Sequence, residues 1–138
     1  MATRRRTRFS VRLGTVAGID IRVHASFLLL FGLVALASTT PEGPGVVAGL
    51  AWLVALFACV VLHELAHSLV AQRHGIAVTE IDLLPIGGVS RMARLPDDPK
   101  VELRIAAAGP AASAVLASVF ALAALATGAT LWPPDLYR

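Results

Sequence analysis

Charged residues are scarce in this sequence. They make up 15% of its 138 residues, whereas 57% are hydrophobic and the mean hydropathy is +0.74. A soluble domain of this size carries charge on roughly a quarter of its residues. The shortage therefore argues against a soluble globular domain and predicts a membrane protein.

Cysteine is represented by Cys59 alone. One thiol cannot form a disulfide within the chain, so a disulfide-stabilised scaffold is excluded. Because Cys59 lies in a long apolar run, the default expectation is an inert buried thiol.

Basic residues are missing from the linker at 39–45, "TTPEGPG", yet they are frequent on either side of the apolar runs. This asymmetry follows the positive-inside pattern and predicts a multi-pass protein of the cell membrane with a cytoplasmic N-terminus. Nucleic-acid binding would require a basic solvent face instead, so we expect no nucleic-acid partner. The basic residues before the first run are Arg4, Arg5, Arg6, Arg8, Arg12 and Arg22, and those between the second and third runs are Arg73, Arg91, Arg94, Lys100 and Arg104.

An alternative interpretation of the first segment is a cleaved signal. "TRRRTRFSV" resembles a twin-arginine motif, and the apolar stretch after it ends in the small residues "ALAS". Two further apolar runs follow, with a basic loop between them. That arrangement favours the multi-pass interpretation.

Three apolar runs, at about 24–39, 45–74 and 101–127, predict about three transmembrane helices. Gly75 is typical of a helix C-terminal stop, and Asp97 or Asp98 of an N-terminal cap. In the third run, Gly109, Ser113 and Ala117 recur at the four-residue spacing that lets helices approach closely, while Pro110 is expected to kink the helix or weaken its bonding. Trp132 and Tyr137 follow at the position of interfacial aromatics.

Two short segments favour strands instead. Residues 76–94 contain β-branched residues followed by Pro85 and the pair Gly87-Gly88, which predicts a β-hairpin. Residues 11–23 alternate loosely, with Gly14 and Gly18 as turn candidates, and predict a second short hairpin before the first run.

The sequence "HELAH" at 63–67 predicts a catalytic metal site. His63 and His67 lie four residues apart, so one helix face presents both to a single metal ion. Glu64 is placed to take a proton from water at that metal and to pass it to a leaving amine. Three incidental polar residues are the alternative. However, ionisable residues in a spanning segment are costly and mark function by default.

A catalytic zinc has three protein ligands plus water, so a third ligand is needed. Neither Cys59 nor His74 shares an ion with both histidines from the same helix, because the three positions extend over ~12 Å or more. The remaining candidates in the sequence are Asp82, Glu102 and His24, and no spacing recommends any of them.

"HELAH", "LLPIGGVSRM" and "IAAAGPAAS", in this order, resemble the site-2 protease family of intramembrane zinc metalloproteases. The resemblance covers about residues 14–125 and is nearest to the compact archaeal and bacterial branch, whose members often carry CBS domains after the core. It implies Zn²⁺ as the cofactor, His63 and His67 as its ligands and Glu64 as the general base. It also implies that Gly87 and Gly88 shape a membrane-associated hairpin that binds an extended substrate segment.

The family supplies its third zinc ligand as an aspartate in a later span, within Asn-Pro and Leu-Asp-Gly patterns that residues 1–138 lack. Asp135 lies outside such a pattern, and Ser113 stands where some members have asparagine. We therefore expect residues 1–138 to be a single peptidase core truncated at its C-terminus, with the third ligand beyond residue 138.

The expected fold is an all-α multi-pass membrane core with a short membrane-associated β-hairpin. The expected activity is hydrolysis of peptide bonds in transmembrane segments of signalling proteins, with the lipid bilayer as surroundings. Two alternatives stay open: a non-catalytic membrane module that captures the same clients, and a metal-binding or transport subunit. The transport alternative predicts polar residues along several spans, and here one span carries them.

Overall fold

The computed structural model describes residues 9–40 and 45–128. The order of elements is β1 (Ser10–Val16), β2 (Ile19–His24), α1 (Phe27–Ala37), α2 (Val46–Arg73), β3 (Val78–Leu84), β4 (Gly87–Met92) and α3 (Pro99–Ala126). The predictions for the N-terminal arginines before Phe9, for linker residues 41–44 and for Trp132 and Tyr137 lie outside the described residues.

Two of the three predicted spans form helices long enough to cross a membrane. α2 and α3 each have 28 residues, which corresponds to ~42 Å against a hydrocarbon core of ~30 Å. In each, only 11% of the most apolar 18-residue window is buried inside the chain. The core helix of a soluble protein would be mostly buried, so this exposure is typical of lipid-facing helices.

The prediction of a span over about 24–39 is wrong in extent. α1 has 11 residues, or ~16 Å, and cannot cross the hydrocarbon core alone. It is short because His24 belongs to β2 and because Thr39 and Thr40 lie beyond its last residue, where their hydroxyls bond back to the carbonyls of Leu36 and Ala37. Leu28, Leu29 and Leu36 on α1 are at least 70% exposed.

The predicted C-terminal stop of α2 and the predicted N-terminal cap of α3 are both confirmed. After α2, Gly75 has a φ of 75°. The amide of Gly75 donates to the Gln72 carbonyl, and that of Ile76 donates to the Ala71 carbonyl. This is the Schellman motif, in which a left-handed glycine terminates a helix. At the start of α3, the side chain of Asp98 accepts from the Lys100 amide at 2.9 Å. Pro110 lies within α3, which continues past it.

Both predicted hairpins form, and the expectation of a helical core with a short hairpin is confirmed in part: three helices are present, but the strands join into one sheet rather than a single hairpin. β1 pairs with β2 and β3 with β4, each antiparallel, and β2 pairs with β3 in parallel, which yields one four-stranded sheet. Within β1, the pairing register shifts between Arg12 and Gly14, so Gly14 marks a bulge rather than a turn.

The sheet packs on the second half of α2. Its inward face contributes Ile19, Ile81 and Leu83, each at most 3% exposed, to a core that includes Ala71 of α2 and Ile105 of α3. On the opposite face, ion pairs connect Arg22 of β2 and Arg91 of β4 to Glu80 and Asp82 of β3. The apolar core holds the sheet against α2, and the charged network connects β3 to β2 and β4 on the opposite face.

Candidate metal centre

His63 and His67 project from one face of α2 and converge. Their Nε2 atoms are 3.0 Å apart, and the rings meet edge to face with centroids 4.7 Å apart. This is the outcome expected from the four-residue spacing, because positions i and i+4 of a helix are neighbours on its surface.

α3 orients both rings through their other nitrogens. Nδ1 of His67 lies 2.6 Å from the Ile105 carbonyl oxygen, and Nδ1 of His63 lies 2.9 Å from Ser113 Oγ. A carbonyl only accepts, so Nδ1 of His67 carries the proton and Nε2 of neutral His67 presents a lone pair. Contacts of this kind fix tautomer and ring orientation in metal-binding histidines.

Gly109 makes this close approach of α3 to α2 feasible. A Cβ atom at position 109 would lie 2.1 Å from Nε2 of His67 and 2.5 Å from Nε2 of His63. Any side chain at position 109 would therefore collide with both imidazole rings. The predicted close approach at Gly109 and Ser113 is thus confirmed, and it brings α3 into contact with the two histidines.

Glu64, next to His63 on α2, contacts β4 rather than α3. Its Oε2 accepts a hydrogen bond of 2.8 Å from the Ser90 hydroxyl. A Cβ atom at Gly88 would lie 2.5 Å from Glu64 Cγ, so the missing side chain lets β4 pass directly over the glutamate. Gly87 has a φ of 138°, a conformation that favours glycine. The substrate-binding role expected for these glycines stays a prediction.

The arrangement fits a metal ion. His63, Glu64 and His67 each offer a ligand atom, and these atoms all lie within 4.8 Å of one another. Two nitrogens bound tetrahedrally to zinc at ~2.0–2.1 Å would be separated by ~3.4 Å, close to the 3.0 Å between the two Nε2 atoms. Both rings have partners on α3 at Nδ1, so Nε2 is the nitrogen that each ring would offer to the ion.

The other candidate ligands make contacts elsewhere in the described part of the chain. Asp82 pairs with Arg22 and Arg91 on the outer face of the sheet. His24 contacts Ser26, and His74 contacts the Val70 carbonyl. These positions, together with Cys59 and Glu102, are absent from the described cluster of potential ligands.

Sequence reasoning missed two partners in this site. The Ile105 carbonyl and the Ser90 hydroxyl hold His67 and Glu64. A backbone carbonyl leaves no mark in the sequence. Ser90 looks like an ordinary strand residue until its register opposite Ile81 is known.

The family model for peptidase family M50 matches residues 51–131, which is more than half of the chain and includes most of α2 and all of β3, β4 and α3. The chain belongs to peptidase family M50. Among the curated relatives, a protein named as a zinc metalloprotease of Methanocaldococcus jannaschii is 39% identical over 111 residues, which cover 80% of this chain and 31% of that protein. The protein Rip3 of Mycobacterium tuberculosis is 37% identical over 128 residues, covering 86% and 32%.

A solved M50 structure is similar in fold. The site-2 protease from Methanocaldococcus jannaschii superposes with a TM-score of 0.66 at 34% identity, covering 85% of this chain and 52% of that one. The resemblance inferred from the motifs is therefore confirmed, as is zinc as the metal that the family implies. The chain spans about a third of the length of the curated M50 relatives it matches.

Proposed function

We propose that this chain forms part of an intramembrane zinc metalloprotease that hydrolyses peptide bonds in membrane-spanning segments of other proteins. The observation that carries the proposal is the convergence of His63, Glu64 and His67 on an apolar helix of spanning length, between α3 and β4.

In this proposal, Nε2 of His63 and Nε2 of His67 hold the zinc, and a third ligand comes from outside the described residues. When bound, zinc supplies a Lewis acid that polarises a peptide carbonyl and makes water acidic enough to attack near neutral pH. The Ile105 carbonyl and Ser113 keep the two rings turned toward the ion.

Glu64 acts as the general base and acid. Its carboxylate lies beside the histidine nitrogens, within reach of a water molecule and of the amine that leaves. α2 brings this chemistry into an apolar segment, where the substrate's peptide bond lies. An isolated carboxylate there would be expensive, and its contact with Ser90 offsets part of that cost.

β4 is the strand through which we propose that substrate binds. It lies at one end of the described sheet order β1-β2-β3-β4, and Gly88 brings it against Glu64. A substrate helix must become extended before its peptide bond is accessible. An extended substrate segment paired with β4 would lie next to the Glu64 carboxylate, with the substrate backbone hydrogen-bonded to the strand. Gly87 and Gly88 would keep that path free of side chains.

We further propose that the protein is multi-pass with a cytoplasmic N-terminus, and that its substrates are signalling proteins processed by regulated intramembrane proteolysis. Two spanning helices support the membrane location. Arg91 and Arg94, between α2 and α3, support a cytoplasmic position of that segment, because short basic loops stay in the cytoplasm. The pairing of β2 with β3 puts the N-terminal strands on the same side as this segment.

The test is the Glu64→Gln variant of the whole zinc-loaded protein, assayed with a fluorophore–quencher-labelled transmembrane peptide in liposomes. We expect cleavage to fall by roughly 10²–10⁴-fold, the usual contribution of a general base, with zinc content unchanged. Glu102→Gln, on the exposed start of α3, is the matched control and should cleave normally. Normal cleavage by Glu64→Gln would reject the assignment. A wild-type protein that captures the peptide without cleaving it would favour a non-catalytic binding module.

A further inference from the structure

The Glu64 side chain needs an external partner to hold one orientation. A glutamate has several rotatable bonds and loses considerable conformational freedom when it is fixed. The histidine rings are held by α3, but α3 makes no such contact with Glu64 among the described hydrogen bonds. The residue that does contact its carboxylate is Ser90 of β4.

The direction of the Ser90 contact is determined by chemistry. The Ser90 hydroxyl lies 2.8 Å from Glu64 Oε2, and an ionised carboxylate only accepts, so the hydroxyl donates. Ser68, which is fully buried, donates to the Glu64 carbonyl at 2.8 Å and to Ser90 Oγ at 3.3 Å, so Ser90 accepts from Ser68 rather than donating to it. The Ser90 proton is therefore committed to Oε2, and Oε1 is left to accept a proton.

The sheet fixes the position of Ser90. Ser90 pairs with Ile81, which is fully buried in the core. Gly88 is two residues earlier on the same face of β4, where it pairs with Leu83. Gly88 therefore has no side chain and leaves room for the aliphatic part of Glu64, and Ser90 supplies the hydroxyl that donates to its carboxylate.

We infer that Ser90 is a positioning residue: its hydroxyl holds Oε2 of Glu64 so that Oε1 faces the reacting water. The inference rests on the proposed function, since it assigns Glu64 as the base. It adds that β4 has two roles, because the strand proposed to receive substrate also orients the base. Productive orientation of Glu64 therefore depends on the position of β4.

Three forms of the whole zinc-loaded protein test this: wild type, Ser90→Ala and Ser90→Thr. With the labelled transmembrane peptide as substrate, Ser90→Ala should lower kcat by roughly ten-fold or more, a part of the ~10²–10⁴-fold that a general base contributes. KM and zinc content should not change, since neither histidine nor the strand backbone is altered. Ser90→Thr keeps the hydroxyl and should restore most of kcat.

A second readout does not need activity. Infrared spectra of protein labelled with ¹³C-carboxyl glutamate, with the Glu64 band identified by its loss in Glu64→Gln, should show a shifted carboxylate stretch in Ser90→Ala. Ser118→Ala removes a hydroxyl bonded to the Ala114 carbonyl on α3 and is the matched control, with band and kcat unchanged.

The outcomes separate the two proposals. An unshifted Glu64 band in Ser90→Ala, or a kcat equal to that of wild type, overturns the role of Ser90. Equal loss of activity in Ser90→Thr, or loss of zinc from Ser90→Ala, also overturns it, because either result means that the strand has been disturbed. A shifted band in a protein whose wild type cleaves no peptide supports the contact and rejects the proposed function instead.

Discussion

Replacing Gly109 with alanine should weaken zinc binding by about 100-fold or more while leaving the helices formed. The new methyl carbon would lie 2.1 Å from Nε2 of His67 and 2.5 Å from Nε2 of His63. The closest of these separations would have to grow by about 1.3 Å to reach an ordinary contact of 3.4 Å.

Metal–ligand distances tolerate only about ±0.2 Å, so a displacement of that size removes at least one nitrogen from the shell. Changes to groups that merely support a ligand cost about 10–100-fold in metal affinity. Displacing the ligand itself should cost at least the upper figure, about 100-fold or about 2.8 kcal/mol.

The assay is zinc competition against a chelator of known affinity, with circular dichroism to confirm helix content. Gly32→Ala is the matched control, since a Cβ there has nothing within 4 Å. Gly49→Ala is a second control, because its Cβ would meet Ser38 Oγ at 2.1 Å, away from the histidines. Wild-type zinc affinity in Gly109→Ala would refute the close approach of α3. Equal zinc loss in Gly49→Ala would mean that helix packing in general, not the site, had been measured.

Two further predictions concern the sheet. Gly88→Ala places a Cβ 2.5 Å from Glu64 Cγ, so kcat should fall by roughly ten-fold while zinc is retained. The control is Gly14→Ala, whose Cβ has nothing within 4 Å and which should leave kcat unchanged. Normal kcat in Gly88→Ala would contradict the site geometry. Arg22→Met removes one of the two arginines that pair with Glu80 and Asp82, whose side chains are 20% and 10% exposed. It should lower the free energy of unfolding by roughly 3 kcal/mol, the lower end of the cost of breaking a buried pair, measured by thermal melting. Arg94→Met breaks only an exposed pair with Asp97 and should cost less than about 1 kcal/mol, so equal losses in the two variants would contradict the role of the buried network.

What the sequence predicts here is local. The spans of α2 and α3, the stop at Gly75, the cap at Asp98 and both hairpins follow from hydrophobic runs and turn residues within a few positions. Helical spacing alone likewise brings His63 and His67 together.

What it does not predict depends on pairing between distant segments. β2 and β3 join in parallel although α1 and α2 separate them in the chain. The β2–β3 register is not encoded locally, so the single sheet cannot be derived from the sequence. The contact of Ser90 with Glu64 cannot be derived from it either, because it depends on how β4 packs on α2. The extent of α1 was overestimated for a related reason, since pairing with β1 and β3 takes residues up to His24 into the sheet.

X-ray absorption at the zinc edge of the whole protein tests directly whether His63 and His67 bind zinc. We expect scattering from two imidazole rings with Zn–N distances of about 2.0–2.1 Å. A shell with no imidazole scattering, or one with a sulfur at about 2.3 Å, where Cys59 is the sole thiol of this sequence, would contradict it.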